Sequence, residues 1–131
     1  MAETIELEIA TPERQVVRES VTDVEIPGKD GYLGILPGHA ALLGLLGAGS
    51  LAYTAGGSKQ YVAIQGGFLE VTEGHVRVLA DIAEPAAEID VARAQADLVR
   101  ATAGETGADP EAALKAVALA QARIDTAKHA G

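Results

Sequence analysis

The chain has 131 residues, of which 48% are apolar and 3% aromatic, and its formal net charge is −9. This length suits one domain, or a small domain with an appendage, and is too short for a two-domain enzyme. The negative charge disfavours a surface that follows phosphates, so no nucleic-acid partner is expected, and the absence of cysteine excludes disulfides, thiolate metal sites and cysteine catalysis.

Residues 1–85 carry short runs in which apolar and polar residues alternate. Ile5, Leu7 and Ile9 alternate with Glu6 and Glu8, and similar runs cover 23–26, 62–64, 69–71 and 76–80. A period of two predicts half-buried strands. Turn residues separate the runs, at Lys29-Asp30-Gly31, Gly56-Gly57-Ser58, Gly66-Gly67 and Glu73-Gly74. With no helical stretch between them, we expect eight to ten antiparallel strands in a β-sandwich or flattened barrel.

Residues 33–52 contain only two polar residues, His39 and Ser50, and are long enough to cross a bilayer as a helix. Pro37 and five glycines would fragment such a helix. Short buried strands joined by glycine turns are therefore the favoured interpretation of this stretch.

After Pro85 the apolar spacing becomes helical. The first predicted helix has the apolar face Ile89, Ala92, Ala96, Val99 and Ala103 and is ended by Gly104. The second begins at Asp109-Pro110-Glu111, which combines an N-cap acceptor with proline at the first helical position. Its apolar stripe is Ala113, Val117, Ala120, Ile124 and Ala127. Because the loop Gly104–Asp109 is short, residues 86–131 are expected to form an antiparallel two-helix hairpin, so the fold class is α+β.

Alanine-rich helix faces permit close approach but bury little apolar area. The predicted hairpin would be only marginally stable in isolation. It must therefore dock on another part of the protein, and it could also undock.

Four segments in register carry a family resemblance. They are Gly31–Leu43 (GYLGILPGHAALL), Gly66–Val71 (GGFLEV), Val76–Asp81 (VRVLAD) and Ile89–Ala94 (IDVARA). These segments resemble the signature blocks of the epsilon subunit of F-type ATP synthases, in that family's order. The resemblance implies a ten-stranded sandwich over residues 1–85 and a regulatory helical hairpin over 86–131.

The same resemblance implies a role and partners. The sandwich of an epsilon subunit is held between the gamma subunit and the c-ring, in the rotor that couples proton flow to ATP synthesis at the catalytic head of alpha and beta subunits. The subunit is not itself catalytic. It would lie peripherally at the cytoplasmic face of a bacterial cell membrane, with an organellar membrane as the alternative, and it requires no homo-oligomer.

The resemblance also implies that the helices can leave the sandwich, extend along gamma and inhibit ATP hydrolysis. Such helices act against an acidic region of the catalytic subunit, so their basic residues matter. The second helix carries only Lys115, Arg123 and Lys128, against Glu111 and Asp125. We therefore expect inhibition to be modest.

The resemblance places a c-ring contact at Gly31, Tyr32, Gly38 and His39. Tyr32 stands where the family commonly has an acidic residue, so this position offers no charge. The alternative interpretation of the same stretch is a strand with two turns, in which Pro37-Gly38 simply reverses the chain.

The first-helix segment also suggests a regulatory ATP site. Ile89, Asp90 and Ala94 would line the adenine region, and the phosphates would meet arginines, which suit them through their fork of donors; these are Arg93, Arg100 and Arg123. The alternative is a solvated ladder of ion pairs, in which Arg93 pairs with Asp90 and Asp97. A free-standing ATP-sensing module is the alternative function, and no cofactor is required.

Other pattern matches are discounted. Residues 47–52 fit a dinucleotide fingerprint, but they are expected to form a strand that ends in a turn rather than a strand followed by a helix. His39, His75 and His129 lack the spacing of metal ligands. No catalytic residue and no metal site are expected.

Overall fold

The computed structural model describes residues 3–104 and 109–130, so residues 105–108 of the predicted interhelical loop lie outside the described part. The strands are β1 (Ile5–Ala10), β2 (Gln15–Val21), β3 (Asp23–Gly28), β4 (Gly31–Ile35), β5 (Leu42–Leu45), β6 (Ala48–Ala55), β7 (Ser58–Thr72) and β8 (His75–Pro85). A 3-10 turn (Ala86–Glu88) leads to the helices α1 (Val91–Thr102) and α2 (Pro110–Ala127). The predicted order, strands followed by two helices, is confirmed.

The strands form a sheet that folds over into two layers. Its order is β2-β1-β8-β7-β6-β3-β4, with β5 also beside β7. The first half of β7 pairs with β6, whereas its second half pairs with β5. The first layer therefore holds β2, β1, β5, the start of β8 and the end of β7. The second layer holds β6, β3, β4 and the remaining halves of β7 and β8, which confirms the predicted β-sandwich.

The described residues form eight strands, which lies within the range of eight to ten expected from the alternation and below the ten that the family resemblance implies. Gly66-Gly67 was expected to form a turn, but both residues lie inside β7 with φ angles of 69° and 101°. The pairing of β7 with β8 keeps one register from Gln65–Ile82 to Gly67–Ala80. The glycine pair thus marks the place where β7 passes from the second layer to the first, and β7 and β8 each contribute to both layers.

One strand pair is parallel, which contradicts the expected all-antiparallel arrangement. β1 runs parallel to β8, from the pair Glu6–His75 to the pair Ala10–Leu79, and the other pairs of named strands are antiparallel. A parallel pair needs a long crossover connection, usually a helix. Here the whole of β2–β7 forms the connection, so local turn signals gave no indication of this pairing.

The core between the layers is aliphatic. Its largest fully buried side chains include Leu7, Ile9, Ile26, Ile35, Leu51, Ile64 and Leu69. Tyr53 also lies in the core, and burial, followed by the negative charge of Glu19, raises the pKa of its hydroxyl. The alternation seen in the sequence thus identifies the inward side of most strands.

The two helices form a docked, antiparallel hairpin. α2 packs on β6 and β7, and α1 packs on α2. Asp90, which caps the start of α1, lines the same cavity as Arg123 near the end of α2, so the helices run in opposite directions. The predicted second helix start is confirmed, since the Asp109 carboxylate accepts the Glu111 N–H at 3.0 Å.

The predicted apolar face of α1 is wrong. Val99 is 68% exposed, and Ala92, Ala96 and Ala103 are exposed as well, whereas Ala94 and Ala101 are the buried residues of this helix. Ile89 lies before the helix begins. Alanine occurs on several sides of α1, so helical spacing alone did not distinguish the packed side from the exposed one.

Candidate functional site

The residues predicted to contact the c-ring lie at the two ends of β4. Gly31, with a φ of 131°, and Tyr32 begin the strand. After it, the His39 N–H donates to the Leu36 carbonyl at 3.1 Å, and Gly38 has a φ of 86°. This geometry fits a Pro-Gly type II turn, so the chain reversal proposed for this stretch is present. The structure does not test the c-ring contact.

An exposed apolar patch, missed in the sequence, lies on the outer face of the first layer. It consists of Leu43 and Leu45 on β5, Phe68 on β7 and Leu79 on β8. The first three are 71%, 58% and 45% exposed. Leu45 pairs with Phe68 and Phe68 with Leu79, so these side chains form a row across the sheet. The sequence could have revealed part of this patch. Phe68 and Leu79 are apolar, yet they are the direct neighbours of the buried Leu69 and Val78, so strand alternation places them on the outward face.

The apolar patch is continuous with β4. A cavity of about 350 Å³ is lined by Tyr32, Leu33, Gly44 and Leu45, together with residues 28–31 of the β3–β4 turn. Leu45 belongs to the apolar patch and Tyr32 to the predicted c-ring contact. The two surfaces therefore meet at this cavity.

A row of alternating charges lies beside the apolar patch. The strand register aligns Arg18, Glu8, Arg77 and Glu70 across β2, β1, β8 and β7. Arg77 nitrogens lie 3.8 Å from the Glu8 carboxylate and 3.9 Å from the Glu70 carboxylate. Exposed pairs of this kind add little stability, but they give the face a fixed charge pattern.

Four of the six residues predicted to bind ATP line one cavity of about 270 Å³: Asp90, Arg93, Ala94 and Arg123. The cavity lies between the hairpin and the end of β8. Ile89 and Arg100 are not among its lining residues. Three further residues that line it, Glu84, Glu88 and Asp97, were not predicted.

The carboxylates that line this cavity already have hydrogen-bond or ion-pair partners, one of which, Arg123, lines the cavity itself. The Arg123 Nε lies 2.5 Å from the Glu84 carboxylate, and the Asp90 carboxylate accepts the backbone N–H of Arg93 at 3.0 Å. Asp97 pairs with Arg100, in place of the predicted pair with Arg93. The cavity holds four carboxylates and two guanidinium groups, and the Glu84 carboxylate already occupies Arg123, one of the two groups that could meet a phosphate.

Polar and aromatic contacts help to hold α2 on the second layer. The Gln65 side chain donates to the Lys115 carbonyl at 2.8 Å, and Arg123 pairs with Glu84. The buried Thr126 hydroxyl donates to the Ser50 Oγ at 3.0 Å. Beyond the helix, the His129 ring stacks on Tyr61 with centroids 3.7 Å apart. Docking thus depends on polar and aromatic contacts as well as on small apolar side chains.

The remaining described residues were expected to hold neither a metal site nor a dinucleotide site. Within residues 3–104 and 109–130, His, Asp and Glu side chains form no group of three that could hold a metal ion. No helix in these ranges has the length and apolarity of a membrane span. Residues 48–55 form β6 and lead into the turn at Gly56-Gly57, as expected, so the fingerprint-like segment is not followed by a helix.

Comparison with known proteins decides the family. The model of the β-sandwich domain of the delta/epsilon chain of ATP synthase matches residues 4–86. The ATP synthase epsilon chain of Solibacter usitatus is 57% identical over 131 residues, which cover 97% of this chain and 98% of that protein. The chain belongs to the ATP synthase epsilon family. The epsilon chain of Desulfitobacterium hafniense strain Y51 is 39% identical to this chain, and the aligned region covers 98% of this chain and 100% of that protein.

Solved structures agree with this membership. A chain of the Euglena gracilis mitochondrial ATP synthase (OSCP/F1/c-ring) superposes with a TM-score of 0.81 at 27% identity, covering 98% of this chain and 83% of that chain. A chain of the Tetrahymena thermophila enzyme (central stalk/c-ring) has a TM-score of 0.63 at 15% identity and shows the fold alone. As a member of the epsilon family, the chain is a non-catalytic rotor subunit of ATP synthase.

Proposed function

We propose that the sandwich binds the gamma subunit through the apolar patch and the c-ring through the residues at the ends of β4, and so couples rotation of the ring to ATP synthesis. The observation that carries this proposal is the uncovered outer face of the first layer, where Leu43, Leu45 and Phe68 are exposed. Large exposed apolar side chains that form a contiguous patch mark a partner surface. The c-ring contact would use Gly31, Tyr32, Gly38 and His39.

Membrane association follows from these partners rather than from the chain itself. We place the protein peripherally at the cytoplasmic face of a bacterial cell membrane, held there by the c-ring, with an organellar membrane as the alternative. The bacterial relatives support the first location, because they match along almost the whole chain.

Two leucines with the same exposure allow a matched test. Leu43 on the apolar patch and Leu114 on α2 are both 71% exposed. In cells that express the tagged ATP synthase complex, Leu43→Glu is expected to abolish co-purification with gamma and the c-ring, because it places a charge in a buried interface. Leu114→Glu should leave co-purification unchanged. Retention of both partners by Leu43→Glu would contradict the proposal, and a wild-type chain that purifies alone would favour the free-standing module.

We further propose that the hairpin inhibits ATP hydrolysis when it extends towards the alpha/beta head. In the docked state Arg123 is paired with Glu84 and Lys128 lies 3.7 Å from Asp125. Extension would separate Arg123 from Glu84 and present its guanidinium to an acidic surface. Since α2 carries few basic residues, the inhibitory contact is expected to be modest.

Regulatory ATP is a second proposal, favoured by the meeting of Asp90, Arg93, Ala94 and Arg123 in one cavity. Binding would have to displace Glu84 from Arg123, so we expect weak affinity. Isothermal calorimetry of the full chain with ATP measures it directly. Heat that saturates in the millimolar range would support the site, and the absence of heat at millimolar ATP would refute it.

A further inference from the structure

The hydrogen-bonded ladder between β3 and β6 is short. It pairs only Asp23, Val24 and Glu25 with residues 52–54. Past this point the Pro27 carbonyl of β3 accepts the N–H of Gly47, which precedes β6, at 2.9 Å. The Ser50 N–H of β6 donates instead to the hydroxyl of Tyr32 on β4, at 3.0 Å. A side chain of β4 thus takes the place of a backbone acceptor.

Tyr32 fits closely at this position although 54% of its surface is exposed. A Cβ atom on Gly49 would lie 2.3 Å from the Tyr32 hydroxyl oxygen and 3.0 Å from the Pro27 Cβ. The tyrosine can approach β6 only because residue 49 has no side chain. Its location is therefore set by packing as well as by the hydrogen bond.

Ser50 also contacts the hairpin. Its Oγ accepts the hydroxyl of Thr126, which is 0% exposed. A buried hydroxyl without a partner costs free energy, so this bond contributes to the docking of α2. Ser50 is thus hydrogen-bonded to β4 through its backbone and to α2 through its side chain.

We propose that Tyr32, Ser50 and Thr126 form a clasp that couples the position of β4 to the docking of α2. A protein partner that draws Tyr32 away from the sheet leaves the Ser50 N–H without its acceptor and weakens the contact with Thr126. By reciprocity, undocking of α2 loosens Tyr32. The identity of the partner, the c-ring, rests on the proposed function, whereas the coupling itself does not.

Hydrogen exchange of α2 amides in the isolated full chain tests the clasp. Tyr32→Phe removes the acceptor and Thr126→Val removes the buried hydroxyl, each with little change of shape. Thr126→Val is expected to raise exchange in α2 by about two- to tenfold, the effect of losing one neutral hydrogen bond. Tyr32→Phe should raise it by a smaller factor, because its hydrogen bond reaches α2 only through Ser50. Because the two bonds share Ser50, the double variant should raise exchange by less than the product of the single effects.

Tyr53→Phe is the matched control. It also removes a hydroxyl from the sandwich, but Tyr53 lies in the core between the layers. It should leave α2 exchange unchanged. The proposal is overturned if Tyr32→Phe behaves like Tyr53→Phe, or if the single effects multiply in the double variant. Failure of the wild-type chain to co-purify with the c-ring would remove the proposed partner but would not alter these exchange rates.

Discussion

At the scale of single residues, Gly67 is the position where the sandwich tolerates a side chain least. Its φ is 101°, and a Cβ atom would lie 2.0 Å from the backbone carbonyl oxygen of Leu79. The neighbouring Gly66 meets only the Asp81 side chain, which can move. Gly67 therefore sets the bend through which β7 joins the two layers.

Gly67→Ala is expected to lower the free energy of unfolding by about 3 kcal/mol or more, because it combines left-handed backbone strain with a clash against backbone. Gly34→Ala is the control, since that position has open space around it and no positive φ. It should change stability by less than about 1 kcal/mol. Urea unfolding measures both, and equal midpoints for the two variants would contradict this account.

At the scale of secondary structure, local sequence patterns correctly predicted the features that depend on residues close together in the chain. Alternation correctly placed Ile5, Leu7 and Ile9 on the inward side of β1. The Asp109-Pro110 signal correctly started α2, because a cap acts within one turn. Both signals arise from residues close together in the chain, so a single sequence is enough to recognise them.

The errors concern features set by distant parts of the chain. The glycine pair 66–67 was assigned to a turn because positive φ is common to turns and bends, and only pairing with β8 distinguishes them. The parallel pair of β1 and β8 joins segments about 70 residues apart. Similarly, the packed side of α1 is decided by its packing on α2, and this side buries Ala94 and Ala101 but leaves Val99 exposed.

The candidate sites also divide into those formed by residues close together in the chain and those formed by residues far apart. The c-ring residues and four of the six ATP residues came from contiguous motifs, and Asp90, Arg93 and Ala94 line one cavity because they are close together at the start of α1. Arg123 joins them from α2 only through the packing of the two helices. The apolar patch and the clasp were missed, because each assembles residues from separate elements: β5, β7 and β8 for the apolar patch, and β4, β6 and α2 for the clasp. Thr126 is an example. It is a polar residue outside the predicted apolar stripe of α2, so the neighbouring sequence does not indicate that it is fully buried.

At the scale of the whole molecule, the two layers separate two surfaces. α2 packs on β6 and β7 on the outer face of the second layer, whereas the apolar patch lies on the outer face of the first. The hairpin can therefore leave the sandwich without uncovering or blocking the apolar patch. A subunit built in this way can remain attached to the rotor through one face while its hairpin changes position on the other.

A reversible lock tests whether the hairpin must move in order to inhibit. The chain has no cysteine, and the Ser50 and Thr126 hydroxyl oxygens are 3.0 Å apart, so the double variant S50C/T126C can form a single disulfide that holds α2 docked. In the assembled complex, the oxidised variant should hydrolyse ATP as fast as a complex lacking residues 86–131, and reduction should restore inhibition.

We expect the hairpin to inhibit hydrolysis by less than about tenfold, which corresponds to a contact worth under about 1.4 kcal/mol. The single variant S50C controls for the substitution itself, and unchanged hydrolysis after deletion of the hairpin would show that it does not inhibit.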